Sequence, residues 1–477
     1  MKKIQILVLL VITLTACNTK KENVIIKGTV INKEDIELLY SATFNETFNN
    51  WFKDSVTIDS SGQFIISLKI NKPQMVSLLS ESNYKLLIIE PGNDYEIEIG
   101  NKKEPIKLIH KTEAQLYYEK LPQTHPNAGV GFFPNNLTNY DSIYNKLIEL
   151  RDKELIHLKE RNVSMDVYNL IRADRHVYYN IAISSLASRI NITSFRNNET
   201  TPKEVMLMWG NAVADTLLTN PLNKQANYFY ELLDMAFWYN LYTKLDYDSI
   251  SVIRKEKREQ GLIHSYNIEL AERLLPKEIL EYYSATYIQS QAAQKIFEKE
   301  LINLSEQFKT DFPNSKYISY IRPSIDKIAN FYLKVAAASK EEYKFVDNYK
   351  NLNSLSDCFM QLKGKKIYVD IWSTSCAPCK EEFEYNEKLK ETLNNKGVDI
   401  LYISLDGDQN QDRWKDMIKY YNLRGNHIRA NQKLKTDLRE KLGSFGIPRY
   451  LIIDEQGNII NRDAPRPSNL KKLEKQL

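Results

Sequence analysis

Tyr368-Val369-Asp370-Ile371-Trp372-Ser373-Thr374-Ser375-Cys376-Ala377-Pro378-Cys379 is the stretch on which the reading of this chain turns. Lys366 to Ile371, entered through Lys363-Gly364-Lys365, reads as a strand, and Pro378 to Asn394 reads as a helix. The two cysteines therefore sit at a strand-to-helix junction. Pro378 fits a first helical turn, where its missing N–H would have no partner in any case. Residues three apart in a helical turn have Cα atoms about 5–5.5 Å apart, inside the window a disulfide needs, so the two sulfurs join or part with little backbone movement. Cys376, the more N-terminal, faces the free N–H groups and positive end of the helix, which favours thiolate over thiol. That makes Cys376 the attacking sulfur and Cys379 the one that resolves the mixed disulfide.

The pair taken alone is redox-active or metal-binding. A structural zinc site needs about four ligands, and the chain has no second CxxC and no close histidine pair. Cys358 is the one thiolate left to add, and the next histidine downstream is His427. No metal and no cofactor beyond the Cys376–Cys379 disulfide is expected. A lone peroxidatic cysteine would have threonine three residues ahead, where this chain has Ser373.

Downstream, Val398 to Leu405 reads as a buried strand, Asp412 to Tyr421 and Leu434 to Leu442 as helices, and Tyr450 to Asp454 as a strand. Gln456-Gly457 turns into Asn458 to Ile460, and Ser468 to Leu477 closes as a helix. Strands alternating with helices, then a hairpin, give a mixed sheet covered by helices. Tyr368 to Trp372, the pair itself, Gly446-Ile447-Pro448 and Leu451-Ile452-Ile453-Asp454-Glu455-Gln456-Gly457-Asn458 together resemble the thioredoxin family, in its TlpA/ResA branch. The resemblance covers Lys363 to Leu477. It implies that Asp370 is buried behind the pair and relays the proton of Cys379. It also implies that Trp372 is an aromatic platform, Pro448 a cis-proline against the cysteines, and Ile447 a backbone contact for a client strand. A strand-end Asp370 in solvent and a Trp372 that only packs are the plain alternatives. Two positions depart from the family: Ser375 stands where tryptophan is usual, and Arg449 where threonine follows the cis-proline. Arg449 either points inward, favouring the Cys376 thiolate, or is solvated. Cys358 reads as a third redox cysteine or, more simply, as a small packed hydrophobe.

Upstream the period changes. From residue 112 to 345 apolar residues follow helical spacing, as in Val167, Leu170, Ile171, Val177, Tyr178 and Ile181, with further stripes over 226–243, 278–306 and 317–335. Pro202, Pro221, Pro276 and Pro313 punctuate them. Residues 23–111 alternate with period two. Val56 and Ile58 against Phe64 to Ile70 around Gly62, and Leu86 to Ile89 against Tyr95 to Ile99 around Pro91-Gly92, read as hairpins of an antiparallel, sandwich-like β domain. This region resembles the β domain found ahead of thioredoxin-like modules in Bacteroidetes lipoproteins.

The first residues are a targeting segment. Lys2-Lys3 precedes an apolar run, Ile4 to Leu14, too short for a hydrocarbon core of ~30 Å, which takes ~20 residues. Leu14-Thr15-Ala16-Cys17 resembles a lipobox, which implies that Cys17 becomes an acylated first mature residue, anchored to a membrane. The chain thus divides into a signal peptide (1–16), a lipidated tether (17–22), the β domain (23–111), an all-α region (112–345) and an α/β thioredoxin-like domain (346–477). Charge is nearly balanced, 65 Lys+Arg against 61 Asp+Glu, with no basic block to mark a nucleic-acid partner. Four cysteines, one with the lipid and two in the pair, make no disulfide scaffold. The resemblance implies a membrane-anchored thiol–disulfide oxidoreductase facing the periplasm or sitting on the outer membrane. It would reduce protein disulfides with electrons from a membrane or periplasmic thiol donor. The competing class is a non-catalytic envelope binding protein that uses the β and helical regions and keeps the thioredoxin fold as scaffold.

Overall fold

The computed structural model describes residues 23–31, 36–80, 83–100, 104–127, 139–338, 343–362 and 364–477. The targeting segment, the tether and Cys17 lie outside the described residues. Two compact units account for the rest. One holds the described residues up to Tyr247 together with Ala271–Tyr283, and the other holds Asp248–Leu270 with Ser284–Leu477. The division runs through the helical region.

The first unit begins with eight strands: β1 (Asn23–Val30), β2 (Leu38–Ala42), β3 (Asp54–Ser55), β4 (Gln63–Lys69), β5 (Gln74–Ser80), β6 (Asn83–Ile89), β7 (Tyr95–Ile99) and β8 (Lys107–Leu108). They form two sheets, in the orders β4-β1-β7-β8 and β3-β2-β5-β6. Alternation along β1 buries Val24, Ile26 and Val30 on one face. These meet Leu38, Val76, Leu78 and Leu87 of the other sheet in a shared core. Both expected hairpins are overturned. Residues 56–58 form no strand, and β4 pairs with β1; β6 pairs with β5, while β7 pairs with β1 in parallel, so the domain is not wholly antiparallel. The turns at Gly62 and at Pro91-Gly92 carry the chain from one sheet to the other. Period-two alternation identifies the buried face of a strand but not its neighbour. The other face of β5 and β6 is covered by helices: Met75, Leu86 and Ile88 pack with Tyr117, Val167, Leu170 and Ile171. Those last residues lie on the helices Glu113–Tyr118 and Met165–Arg196.

The second unit is built on six strands: β9 (Tyr343–Phe345), β10 (Ile367–Trp372), β11 (Asp399–Ser404), β12 (Gly425–Arg429), β13 (Arg449–Ile453) and β14 (Ile459–Asn461), in the order β14-β13-β10-β11-β12-β9. β10 runs parallel to β11 and antiparallel to β13, and every one of its residues is buried. The expected helix after the pair is present as Ala377–Glu382, a single 3-10 turn, and Asn386–Asn395. β9 and β12 escape the sequence reading. One is three residues long, and the other starts at Gly425 with polar residues, so neither carries a period. The stripe over 278–306 is two helices, Lys277–Ala293 and Glu300–Asp311. Between them Lys295 and Phe297 take φ of 54° and 58°, a left-handed break that no Gly or Pro announces. The helix Ile318–Ala337 follows. Among the described residues no helix is long and apolar enough to cross a membrane.

Candidate active site

At the end of β10 the chain turns through Ser373–Ser375 into the helix Ala377–Glu382, and Cys376 is the residue that caps it. The Cys376 backbone is extended (φ −80°, ψ 102°), which swings its side chain back over the first turn, where Sγ accepts the Cys379 N–H at 3.1 Å. A backbone donor aimed at sulfur favours the thiolate when the pair is reduced. The two cysteines are joined as a disulfide with Cα atoms 5.3 Å apart. Cys376 is 8% exposed and Cys379 is fully buried, so of the two only Cys376 has any surface open to solvent.

The loop ahead of Cys376 is fixed from the neighbouring strand. Asp406, buried just past β11, accepts the Thr374 N–H at 2.9 Å, the Thr374 hydroxyl at 2.7 Å and the Ser404 hydroxyl at 2.7 Å. The Cys376 N–H in turn donates to the Ser373 carbonyl at 3.1 Å. These bonds fix Thr374 and begin the turn that carries Cys376.

Asp370 lies in the middle of β10, in register with Tyr402 on β11 and Tyr450 on β13. It is 0% exposed, and among the described residues no protein donor reaches either carboxylate oxygen. Burial raises its pKa well above the ordinary carboxylate range, and the charge of Glu382 adds to the rise. A carboxyl in that state holds its proton more tightly than one in water. Glu382 is a residue that the sequence reading missed. It comes three residues after Cys379, one helical turn on, and that spacing was the available signal. It is itself buried, held by the Ser468 N–H at 2.9 Å and hydroxyl at 3.1 Å.

The Ile447–Pro448 peptide is cis. Arg449 opposes Ile371 in the β10–β13 ladder, so the Gly446-Ile447-Pro448 loop lies beside the end of β10 that carries the cysteines. Pro448 is buried, Ile447 half-buried and Gly446 exposed. Trp372 is completely buried, meeting Phe383 edge-on at 5.2 Å, so it packs and offers no face to a client. Arg449 pairs with Asp463 (3.1 Å), an exposed partner. Cys358 is buried in the core of the sheet, and burial pushes its thiol up to about 12, a protonated and unreactive state. Among the described residues no group of His, Cys, Asp or Glu is arranged to hold a metal ion.

Comparison with known proteins bears on the C-terminal region that carries this site. The family model called Redoxin matches residues 342–477. Thiol-disulfide oxidoreductase ResA of Bacillus thuringiensis (strain Al Hakam) and that of Bacillus anthracis are each 30% identical over 105 residues, 21% of this chain and 56% of theirs. The chain thus spans about half the length of the curated relatives it matches. Among solved structures, a thiol:disulfide interchange protein from a Bacteroides species is 25% identical, with a TM-score of 0.22 over 24% of this chain and 72% of that one. A thiol-disulfide oxidoreductase from Bacteroides fragilis NCTC 9343 is 22% identical, with a TM-score of 0.21 over 24% of this chain and 83% of its own.

Proposed function

We infer that this chain, whose C-terminal region belongs to the TlpA/ResA-like branch of the thioredoxin family, works as a thiol–disulfide oxidoreductase that reduces disulfides in protein clients. The observation that carries the reading is the asymmetry of the pair: Cys376 reachable with a backbone N–H on its sulfur, Cys379 sealed behind it. The Cys376 thiolate attacks one sulfur of a client disulfide and forms a mixed disulfide, expelling the client's other sulfur as thiolate. Asp370 relays the proton of Cys379, and the Cys379 thiolate then attacks the Cys376 sulfur, releasing the client's second sulfur. The client leaves as a dithiol and the enzyme keeps the disulfide. Electrons return from a membrane or periplasmic thiol donor. Ile447 and Pro448 border the groove where a client backbone lies. Acylated Cys17 holds the protein to the envelope, with the pair on the periplasmic side or at the outer membrane, and no resident cofactor is needed beyond the two cysteines.

Reduction of insulin in the presence of dithiothreitol tests this. The wild type accelerates precipitation of the insulin B chain and Cys376→Ser does not; a wild type no faster than buffer would sink the reading. Cys379→Ser accumulates mixed disulfides with clients on non-reducing gels. Blocking lipoprotein signal-peptide cleavage with globomycin leaves an unprocessed precursor if Cys17 is acylated.

A second reading, a non-catalytic envelope binding protein, has one feature in its favour. The first unit holds a pocket of ≈ 230 Å³ lined by Tyr40, Asn50, Lys53, Tyr84 and Tyr228. Full insulin reduction by the wild type decides against it.

A further inference from the structure

Lys380, directly after Cys379, is 1% exposed. Among the described residues its ammonium meets no carboxylate at ion-pair distance. Nζ donates instead to three backbone carbonyls, those of Gln294 (3.0 Å), Lys295 (3.0 Å) and Thr374 (3.2 Å). An ammonium has three protons, so every donor is used and the buried charge is held by peptide dipoles. Burial, together with the nearby charges of Lys295 and Arg413, pushes its pKa down to about 8.

Two of these carbonyls belong to the break between the helices Lys277–Ala293 and Glu300–Asp311. That segment is a built strap. Phe297 stacks on Phe331 (centroids 4.4 Å, 9°) and meets Tyr420 at 5.2 Å, and its carbonyl accepts the Tyr332 hydroxyl at 2.8 Å. Glu298 takes Arg413 at 3.3 Å and His264 Nε2 at 2.9 Å. The third carbonyl, that of Thr374, lies in the loop leading to the nucleophile, and the Lys380 N–H donates at 3.3 Å to the carbonyl of Cys376 itself. The Lys380 side chain therefore joins the strap to the loop ahead of Cys376, while its backbone N–H holds the other end of the turn as an ordinary helical bond. The strap lies ahead of residue 342, where the Redoxin match begins.

We propose that Lys380 is a positioning residue through which the segment 294–298 holds the Cys376 turn, so that the redox equilibrium of the pair depends on residues outside the redoxin region. The proposal rests on the reading that the pair exchanges with disulfides, and it assigns a role there to the helical region. With Lys380 in place the Cys379 N–H stays on the Cys376 sulfur and the reduced, thiolate form is favoured. Without it the turn loosens, the Cys376 thiol titrates at higher pH, and the disulfide gains at the expense of the dithiol.

Three variants of the full chain test this. Lys380→Met keeps the apolar stem and removes charge and donors. Lys295→Val leaves the active-site helix untouched but puts a β-branched residue at a left-handed φ, which misdirects the strap's carbonyls. Lys295→Gly removes the same exposed side chain yet keeps that backbone conformation. The readouts are the equilibrium constant of the pair against glutathione and the pH profile of Cys376 alkylation. Lys380→Met and Lys295→Val are expected to shift the constant toward disulfide by about threefold or more, ~14 mV at ~30 mV per tenfold, and to move the alkylation profile to higher pH. Lys295→Gly stays with the wild type. A folded Lys380→Met with both readouts unchanged overturns the proposal. If that variant does not fold, Lys295→Val behaving like Lys295→Gly overturns it. A wild type that never equilibrates with glutathione overturns the underlying reading instead, and this proposal with it.

Discussion

β1 of the first unit alternates buried and exposed residues along its length, whereas β10 of the second is buried at every position and still contains an aspartate. Both are interior strands of their sheets. β1 follows the ordinary economy of a half-buried strand: apolar side chains inward, polar ones in water. β10 breaks that rule at Asp370, whose carboxylate oxygens have no protein donor among the described residues although the strand is sealed on both faces. A buried polar group without a partner costs about 1–3 kcal/mol by protein mutational data. Natural sequences accept such a cost mainly where chemistry needs the group. Of the two strands, the locally inconsistent one is the candidate for function.

The contrast breaks first at the cysteine. Cys376→Ser should abolish insulin reduction entirely while leaving the first unit's unfolding transition where it was. Next comes Ile26→Ala in β1, a fully buried core residue. It should destabilise the first unit by about 2–5 kcal/mol, with insulin reduction per folded molecule unchanged. Activity falling before unfolding begins would erase the division of labour between the two strands.

Asp370→Asn should act in the opposite sense on stability. The folded-state pKa of Asp370 is raised, so above the unfolded value of ~3.9 the folded chain keeps a proton that the unfolded chain releases. Stability therefore falls as pH rises from there toward the folded pKa. Asparagine does not titrate, so the variant should be more stable than the wild type at neutral pH and close to it near pH 4, as denaturant titrations at the two pH values would report. Resolution of a mixed disulfide should slow at least about tenfold, since a positioned proton acceptor contributes at that level or above. A variant no more stable at pH 7 than the wild type would mean that the carboxyl is ionised and compensated in place. The smallest effect belongs to Arg449→Ala. Its partner Asp463 is 81% exposed, so the pair should contribute under about 1 kcal/mol, and the pH profile of Cys376 alkylation should not move. A shift there would show that Arg449 turns inward when the pair is reduced.

How much of this was legible in the sequence follows from how local each signal is. The Cys376–Cys379 junction could be read because strand, cap, Pro378 and cysteines occupy consecutive residues. The β10 aspartate and the Gly446-Ile447-Pro448 loop followed from a resemblance that the sheet register now places side by side. Strand pairing in the β domain was not legible, because tight turns at Gly62 and Gly92 look alike whether they fold a strand back on itself or pass it to the opposite sheet. The break at Lys295–Phe297 was invisible for another reason. Its left-handed residues are a lysine and a phenylalanine, held in that conformation by Lys380, Phe331 and Tyr420, partners distant in sequence. Lys380 itself gave no sign, since a lysine on an active-site helix reads as a solvated charge until its surroundings are known.

The two compact units interleave along the chain, and synthesis is directional. The first cannot be completed until Tyr283 has been made, by which time Asp248–Leu270, which belongs to the second, is already out. That segment then waits for Ser284–Leu477, roughly 10–40 s at ~5–20 residues per second. Its leading helix, Tyr247–Glu259, is suited to the wait: Ile250 is the residue it buries, and the run Arg254-Lys255-Glu256-Lys257-Arg258-Glu259 keeps it hydrated until its partners arrive.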